Sequence, residues 1–88
     1  MLDIKNLDKD LTALLLHDYG VKGDKVDING ILHGDSFLSG DLELSLIRVL
    51  RLTHDINRYY GVVIPWEDAV NLKTFGDVIK YTREHYKG

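Results

Sequence analysis

Residues 64–81 read IPWEDAVNLKTFGDVIKY and hold most of the local signals that decide the fold. Pro65, the only proline in the chain, favours an extended residue before it and the start of a helix after it. Thr74 and Asp77 have the spacing of a capping box, which begins a helix. The stretch therefore predicts a short third helix from Pro65 or Trp66 to about residue 71, then a fourth helix capped by Thr74.

Upstream of this stretch, apolar residues recur at helical spacing. Gly61 ends the pattern, and residues 62–65 are expected to lead out in extended form. We predict helix two at about 42–60. Its inward stripe is expected to comprise Leu42, Leu46, Val49, Leu50, Ile56 and Tyr60, widened by Leu44, Ile47, Leu52 and Thr53.

Near the N-terminus, apolar residues recur at three- and four-residue steps from Leu7 to Tyr19, and Gly20 follows. This predicts helix one at roughly 6–19. Residues 20–40 are punctuated by glycine and aspartate and form a long loop whose apolar residues are expected to cover the core. The fold class is all-α: a small antiparallel four-helix bundle with three principal helices, one short helix and a long first loop, in a single domain spanning residues 1–88.

Composition excludes several classes of protein. The chain is 44% hydrophobic and 28% charged, which is typical of a globular domain and not of a disordered segment. It has no cysteine, and no two histidines have the i, i+4 spacing of a metal-binding helix, so no metal site is predicted. No apolar run approaches the ~20 residues of a membrane helix, and residues 1–5 (MLDIK) do not resemble a signal peptide, so we expect a cytoplasmic protein. A net charge of -3 offers no basic excess for nucleic acid.

Taken in order, these features resemble the acyl and peptidyl carrier protein family across nearly the whole chain. YGVK (residues 19–22), followed by Val26, resembles the end of the family's first helix and its exit. DSFL (residues 35–38), followed by Ser45 and Leu46, resembles the approach to the family's attachment site, where a buried Phe precedes Asp-Ser-Leu by several residues. Residues 64–81 are the closest match.

The resemblance implies a carrier and not an enzyme. Members of the family hold a 4′-phosphopantetheine arm on a serine at the start of helix two, where a phosphopantetheinyl transferase places it from coenzyme A. Backbone N–H groups and the helix dipole favour a phosphate at that position. The thiol of the arm then carries an acyl or aminoacyl group as a thioester. The implied partners are the transferase and the loading or synthase enzymes that handle the cargo, and we expect a monomer.

Two serines compete for the arm. Ser36 lies in GDSF (residues 34–37), which reads like the family's Gly-x-Asp-Ser-Leu with Phe in place of Leu. Position favours Ser45 instead, because it lies about four helical turns before Tyr60, as the family's serine does before the aromatic residue that ends helix two. Ser36 is separated from the helix by the Ser39-Gly40 break. Ser45 is therefore the predicted attachment residue and Ser36 the second choice, although Leu44 stands where the family has aspartate.

The surface around Ser45 is expected to meet partner enzymes. Phe37 and Leu46 are expected to be buried and to anchor the site. Either Glu43 or Asp41 would substitute for the missing aspartate in contact with the transferase, or the transferase would be one that tolerates its absence. The predicted partner surface comprises Glu43, Leu44, Leu46, Ile47, Arg48 and Arg51.

Helix two is unusually basic for such a carrier. Arg48, Arg51 and Arg58 are expected to face outward, with His54 near them. Carriers of bacterial fatty-acid synthesis usually present an acidic helix here, and like charges across an interface are penalised. The charge therefore favours a discrete carrier in polyketide- or nonribosomal-peptide-type secondary metabolism. The alternative is an unmodified helical module that binds a partner protein through the same helix.

Overall fold

Four α-helices and two short 3-10 helices form the regular structure of residues 3–88, the part of the chain that the computed structural model describes. The α-helices are α1 (Leu7–Asp18), α2 (Leu46–Tyr60), α3 (Trp66–Ala69) and α4 (Phe75–His85). The 3-10 helices are Ile4–Asn6 and Gly23–Lys25. The all-α prediction is confirmed. Met1 and Leu2, which belong to the stretch compared above with a signal peptide, lie outside the described residues.

Local signals end and begin the helices close to where the sequence predicts. At the start of α4, the Thr74 hydroxyl accepts a hydrogen bond from the Asp77 N–H, and the Asp77 carboxylate accepts one from the Thr74 N–H, both at 3.1 Å. This is the predicted capping box. Gly61 ends α2 in the left-handed conformation, with φ 69°. The short helix α3 ends at Ala69, two residues before the predicted end.

The predicted start of helix two at residue 42 is wrong, because α2 begins at Leu46. Residues 42–45 fold back on the preceding loop instead: the Leu44 N–H donates to the Leu38 carbonyl at 2.7 Å, and Glu43 has a left-handed φ of 55°. Leu42 and Leu44 are both buried, whereas Glu43 between them is exposed. Alternating burial is typical of an extended segment, but here the left-handed Glu43 turns the chain between the two buried leucines.

The two longest helices run antiparallel. Tyr19, directly after α1, packs against the N-terminal half of α2, whereas Asp10 and Leu11 near the start of α1 line a cleft with Tyr60 at the end of α2. Burial and the negative charge of Asp10 raise the pKa of Tyr60 to about 12. No helix within residues 3–88 is long and apolar enough to cross a membrane.

The core draws on every long helix and on the first loop, which covers it as predicted. The helical contribution comes from Leu7, Leu11, Leu15, Val49, Leu52, Ile56, Tyr60, Phe75 and Val78. The loop contributes Val21, Leu32, Leu38, Leu42 and Leu44. Ile28 and Phe37 are the exceptions among the loop's apolar residues: Ile28 lies in a turn and is fully exposed, and Phe37 is also exposed.

A short backbone pairing ties this loop to the segment that leads into α4. The Leu38 N–H donates to the Lys73 carbonyl at 2.8 Å, the Phe75 N–H donates to the Ser36 carbonyl at 2.9 Å, and the Gly76 N–H donates to the Gly34 carbonyl at 2.7 Å. The last of these requires glycine, because a Cβ on Gly76 would lie 2.8 Å from the Gly34 carbonyl oxygen. We call these three hydrogen bonds the loop–α4 pairing.

Tyr19 joins the end of α1 to one side of α2. Its side chain is 2% exposed, and its hydroxyl donates to the Asp55 carboxylate at 2.6 Å. The guanidinium carbons of Arg48 and Arg51 lie 5.5 and 5.4 Å from the centre of its ring, within cation–π range. Burial, reinforced by Asp55, raises the pKa of Tyr19 above its usual value. Arg48 is half-buried, so the prediction that it faces outward like Arg51 and Arg58 is wrong.

The substitution Gly76→Ala is expected to destabilise the protein by about 1–3 kcal/mol, because the added methyl group meets backbone atoms that cannot move aside. The roughly 1 kcal/mol that alanine gains over glycine in a helix offsets part of the cost of this contact, so the net loss is expected in the lower part of that range. The measurement is the free energy of unfolding in urea. Gly23→Ala is the matched control, since nothing lies within 4 Å of a Cβ there. Equal stability of the two variants would contradict the close approach of residues 34 and 76.

The capping box of α4 makes part of the stability sensitive to acid. Hydrogen bonds from the Lys73 N–H and then from Thr74 lower the pKa of Asp77 below its ordinary value of 3.8. The folded state therefore holds fewer protons than the unfolded state as the pH falls through this range, so the stabilisation is present above about pH 4 and is lost below it. Asp77→Asn should show a flatter decline in unfolding free energy between about pH 4 and pH 2. Identical acid profiles for the two proteins would exclude this role.

The stacking of Arg48 on Tyr19 should appear as a coupling energy. In a double-mutant cycle of Arg48→Gln and Tyr19→Leu, we expect the two stability losses to be non-additive by about 0.5–1 kcal/mol. A second cycle, pairing Arg58→Gln with the same Tyr19 variant, should be additive because Arg58 lies over Tyr59 instead. Additivity in both cycles would show that the Arg48 contact contributes nothing.

Candidate functional site

Ser36, the second-choice attachment residue, is held inside the loop–α4 pairing. Its carbonyl accepts the hydrogen bond from Phe75, and its own N–H donates to the His33 carbonyl at 3.1 Å. The residue is 8% exposed and lies ten positions before the first residue of α2. Little of the residue is accessible to an incoming transferase, and it lies far along the chain from the start of α2.

Ser45, the first-choice residue, caps the N-terminus of α2. Its backbone is extended (φ -68°, ψ 164°), and its Oγ accepts a hydrogen bond from the Arg48 N–H at 3.3 Å. The residue is exposed. Serine is among the residues preferred at this position because its oxygen satisfies an N–H that has no partner inside the helix. The hydroxyl therefore stands at the positive end of the α2 dipole and is open to solvent.

Burial around Ser45 differs from three of the predictions. Phe37 and Leu46, expected to be buried anchors, are 55% and 56% exposed. Leu44, expected on the partner surface, is 1% exposed. The cause is the register of the loop: beside the loop–α4 pairing, burial alternates along residues 36–38, so that Ser36 and Leu38 turn inward and Phe37 turns out. Leu44, which is buried in the core next to the serine, therefore has the anchoring role that was predicted for Phe37 and Leu46.

An apolar cleft of about 240 Å³ opens beside Ser45. Its walls come from both neighbours of the serine, Leu44 and Leu46, from the next inward residue of α2, Val49, and from α3. The remaining lining residues are Phe37, Leu38, Ser39, Ala69, Val70, Leu72 and Lys73. A flexible group attached at Ser45 could therefore lie against apolar surface close to its attachment point.

The side of α2 that faces away from the core presents one straight row of side chains. At 100° per residue, Ile47, Arg51, His54 and Arg58 fall on the same line, opposite the buried stripe of Val49, Leu52, Ile56 and Tyr60. All four are exposed, and Ile47 is 80% exposed. We call these four residues the outward row. Arg48 is half-buried and lies outside it, although the guanidinium groups of both Arg48 and Arg51 reach the Tyr19 ring.

The predicted partner surface is thus only partly on the outside of the molecule. Glu43, Leu46, Ile47 and Arg51 are exposed, whereas Leu44 is buried and Arg48 is half-buried. Sequence reasoning missed the role of Tyr19, which it placed only on the inward stripe of helix one. The spacing of its three partners, Arg48, Arg51 and Asp55, is i, i+3, i+7 and marks one side of a helix, which is the signal that could have indicated a shared contact.

Comparison with known proteins gives one consistent result. No protein-family model matches the chain. An acyl carrier protein from Chlamydia trachomatis serovar L2 is 30% identical over 80 residues, covering 91% of this chain and 96% of its own. Two acyl carrier proteins from Rickettsia bellii are 24% identical (strain RML369-C) and 22% identical (strain OSU 85-389) over 85 residues, each covering 97% of this chain. With this helical bundle, the likeness over nearly the full length of each protein shows that the chain belongs to the acyl carrier protein family, and so is a carrier and not an enzyme.

Proposed function

We propose that the chain carries a 4′-phosphopantetheine arm on Ser45 and holds its cargo as a thioester on the thiol of that arm. The observation that carries this proposal is the contrast between the two candidate serines. Ser45 is exposed at the N-terminus of α2, whereas Ser36 is 8% exposed and its backbone is held in the loop–α4 pairing. Membership of the acyl carrier protein family supports an arm on a serine, and the geometry favours this one.

The attachment would be a phosphoryl transfer from coenzyme A. The Ser45 oxygen loses its proton and forms a bond to the phosphorus that bears pantetheine, while the bond from that phosphorus to the adenosine bisphosphate portion breaks. The new phosphodiester carries one negative charge. Backbone N–H groups in the first turn of α2 and the helix dipole both stabilise that charge.

Exposed residues on either side of Ser45 form the surface that a transferase would meet. Glu43 stands on the N-terminal side, and Leu46 and Ile47 stand on the first turn of α2. Glu43 is the exposed acid nearest to the serine in sequence, and it substitutes for the aspartate that the family has directly before it. Leu44 would act from beneath, by fixing the turn that presents the hydroxyl.

The cargo pathway is proposed to be secondary metabolism of the polyketide or nonribosomal peptide type. The support is the positive charge of α2, which contains three arginines and a single acid, Asp55. An enzyme adapted to an acidic carrier helix would repel this surface or leave its own basic residues unpaired. The cleft beside Ser45 would give an acyl or aminoacyl group partial shelter between enzymes.

The decisive experiment is intact-mass measurement after incubation with coenzyme A and a broad-specificity phosphopantetheinyl transferase. We expect the wild-type protein to gain the mass of one phosphopantetheine group. Ser45→Asn should gain nothing, because it lacks the hydroxyl yet still provides a side-chain oxygen to cap α2. Ser36→Ala should be modified like the wild type.

Ser39→Ala is the matched control for an exposed serine in the same region. Modification of Ser45→Asn, or its loss in Ser36→Ala with the fold intact by circular dichroism, would overturn the assignment to Ser45. Failure of several transferases to modify the wild-type protein would favour the other function, an unmodified module that binds a partner through α2.

A further inference from the structure

The first turn of α2 carries a positive side chain and no negative one. Helix N-termini favour acidic side chains, because the N-terminal end of the helix dipole is positive. The first turn of α2 contains no acidic residue and contains Arg48 instead. Within residues 3–88 the one salt bridge joins Arg83 to Asp8, so Arg48 has no carboxylate partner there. A negative charge at this end of α2 would therefore be stabilised by the helix dipole and by the arginine together.

Arg48 is placed where a side chain can reach the residue that caps the helix. It is the third residue of α2, and its backbone N–H donates to the Ser45 Oγ at 3.3 Å. In a capping box, the side chain at this position reaches back to the N-cap residue. Helical side chains also lean towards the N-terminus of their own helix. An arginine at this position can therefore reach a group attached to the Ser45 oxygen.

In the unmodified chain, the guanidinium group of Arg48 lies over Tyr19 and shares that ring with a second arginine. The guanidinium carbons of Arg48 and Arg51 lie 5.5 and 5.4 Å from the centre of the ring. Like charges one turn apart on a helix repel each other, so the two guanidinium groups compete for this contact. The Tyr19 hydroxyl donates to Asp55 at 2.6 Å, which is a contact independent of Arg48. Arg51 can therefore keep the ring contact alone.

We propose that Arg48 is the residue that binds the phosphate group attached to Ser45. Its guanidinium group leaves the Tyr19 ring and donates hydrogen bonds to the phosphoryl oxygens, while Arg51 remains on the ring. The exchange is favoured because hydrogen bonds from guanidinium to phosphate are charge-assisted and can be bidentate, whereas the contact that Arg48 gives up is one of two on the same ring. The inference rests on the proposed function for the presence of that phosphate in the arm.

Lys73 is another cation near Ser45. It lines the apolar cleft together with Leu44 and Leu46, the two neighbours of the serine. Its Nζ, however, donates to the Val70 carbonyl at 3.0 Å, just beyond the end of α3. An ammonium group is also a point charge without the planar fork that matches a phosphate. Arg48 is therefore the better partner, and Lys73 provides a control for charge alone.

The test places a phosphate on the Ser45 oxygen without the help of a transferase. Phosphoserine is incorporated at position 45 of the full-length chain, so that phosphorus is bonded to the same oxygen as in the arm. The second pKa of phosphoserine is ordinarily about 6, and it falls when a cation binds the doubly charged form. The pKa is measured by phosphorus NMR titration at about 0.15 M salt, where distant charges are largely screened.

We expect Arg48→Gln to raise the pKa of the phosphoserine by at least about 0.5, because the doubly charged form loses its partner. Arg48→Lys should restore part of the difference. Lys73→Gln and Arg51→Gln should each raise the pKa by less than half as much as Arg48→Gln does. The proposal is overturned if Arg48→Gln leaves the pKa unchanged, or if either control variant raises it equally.

The change of partner is tested separately, by nuclear Overhauser contacts between the arginine side chains and the Tyr19 ring. In the unmodified chain, both Arg48 and Arg51 should show these contacts. The phosphoserine chain is measured at about pH 5, where its phosphate carries roughly one negative charge, as a phosphodiester does. There the Arg48 contacts should be lost and the Arg51 contacts kept. Arg48 contacts of unchanged strength would overturn the proposal.

These outcomes are separate from those of the arm. If no transferase modifies the wild-type protein but the phosphoserine chain behaves as described, the proposed function fails and the role of Arg48 in binding a phosphate on Ser45 stands. If a transferase modifies Ser45 but Arg48 stays on Tyr19 in the phosphoserine chain, the carrier function stands and this inference fails.

Discussion

The loop–α4 pairing is the constraint on which the candidate site depends. Three backbone hydrogen bonds fix residues 34–38 against residues 73–76 and so decide which side chains of the loop turn inward. Ser36 is buried as a result, and Phe37 is exposed. Because the chain then returns through buried Leu44, it reaches the start of α2 with Ser45 at the surface.

Much of the fold could be predicted because its strongest signals are local. Thr74 and Asp77 begin α4 through contacts within one turn, and Gly61 ends α2 through its own backbone conformation. The start of α2 could not be predicted in the same way. Apolar residues at 42, 44 and 46 suit an extended segment as well as a wide helical stripe, and the choice is made by a hydrogen bond to Leu38 that the local sequence does not specify.

The candidate site likewise has a part that the local sequence predicts and a part that it does not. Counting helical turns back from Tyr60 was enough to single out a serine that the structure places at a helix N-terminus. The burial of its surroundings was not predictable, because it follows from the register of the loop against residues 73–76. The same holds for Arg48, whose position on α2 can be read from the sequence but whose contact with Tyr19 depends on how α1 and α2 pack.

The side-chain oxygen of Ser45 already has a structural role, because it caps the first turn of α2 by accepting a hydrogen bond from the Arg48 N–H. If Ser45 is esterified, the phosphoryl oxygens would take over this capping role, because they bear the negative charge and are stronger acceptors for N–H groups. A neutral cap would thus become an anionic one at the positive end of the helix. Bare and loaded molecules would then differ in how firmly this helix begins, which gives an approaching enzyme a means of telling them apart before it meets the cargo.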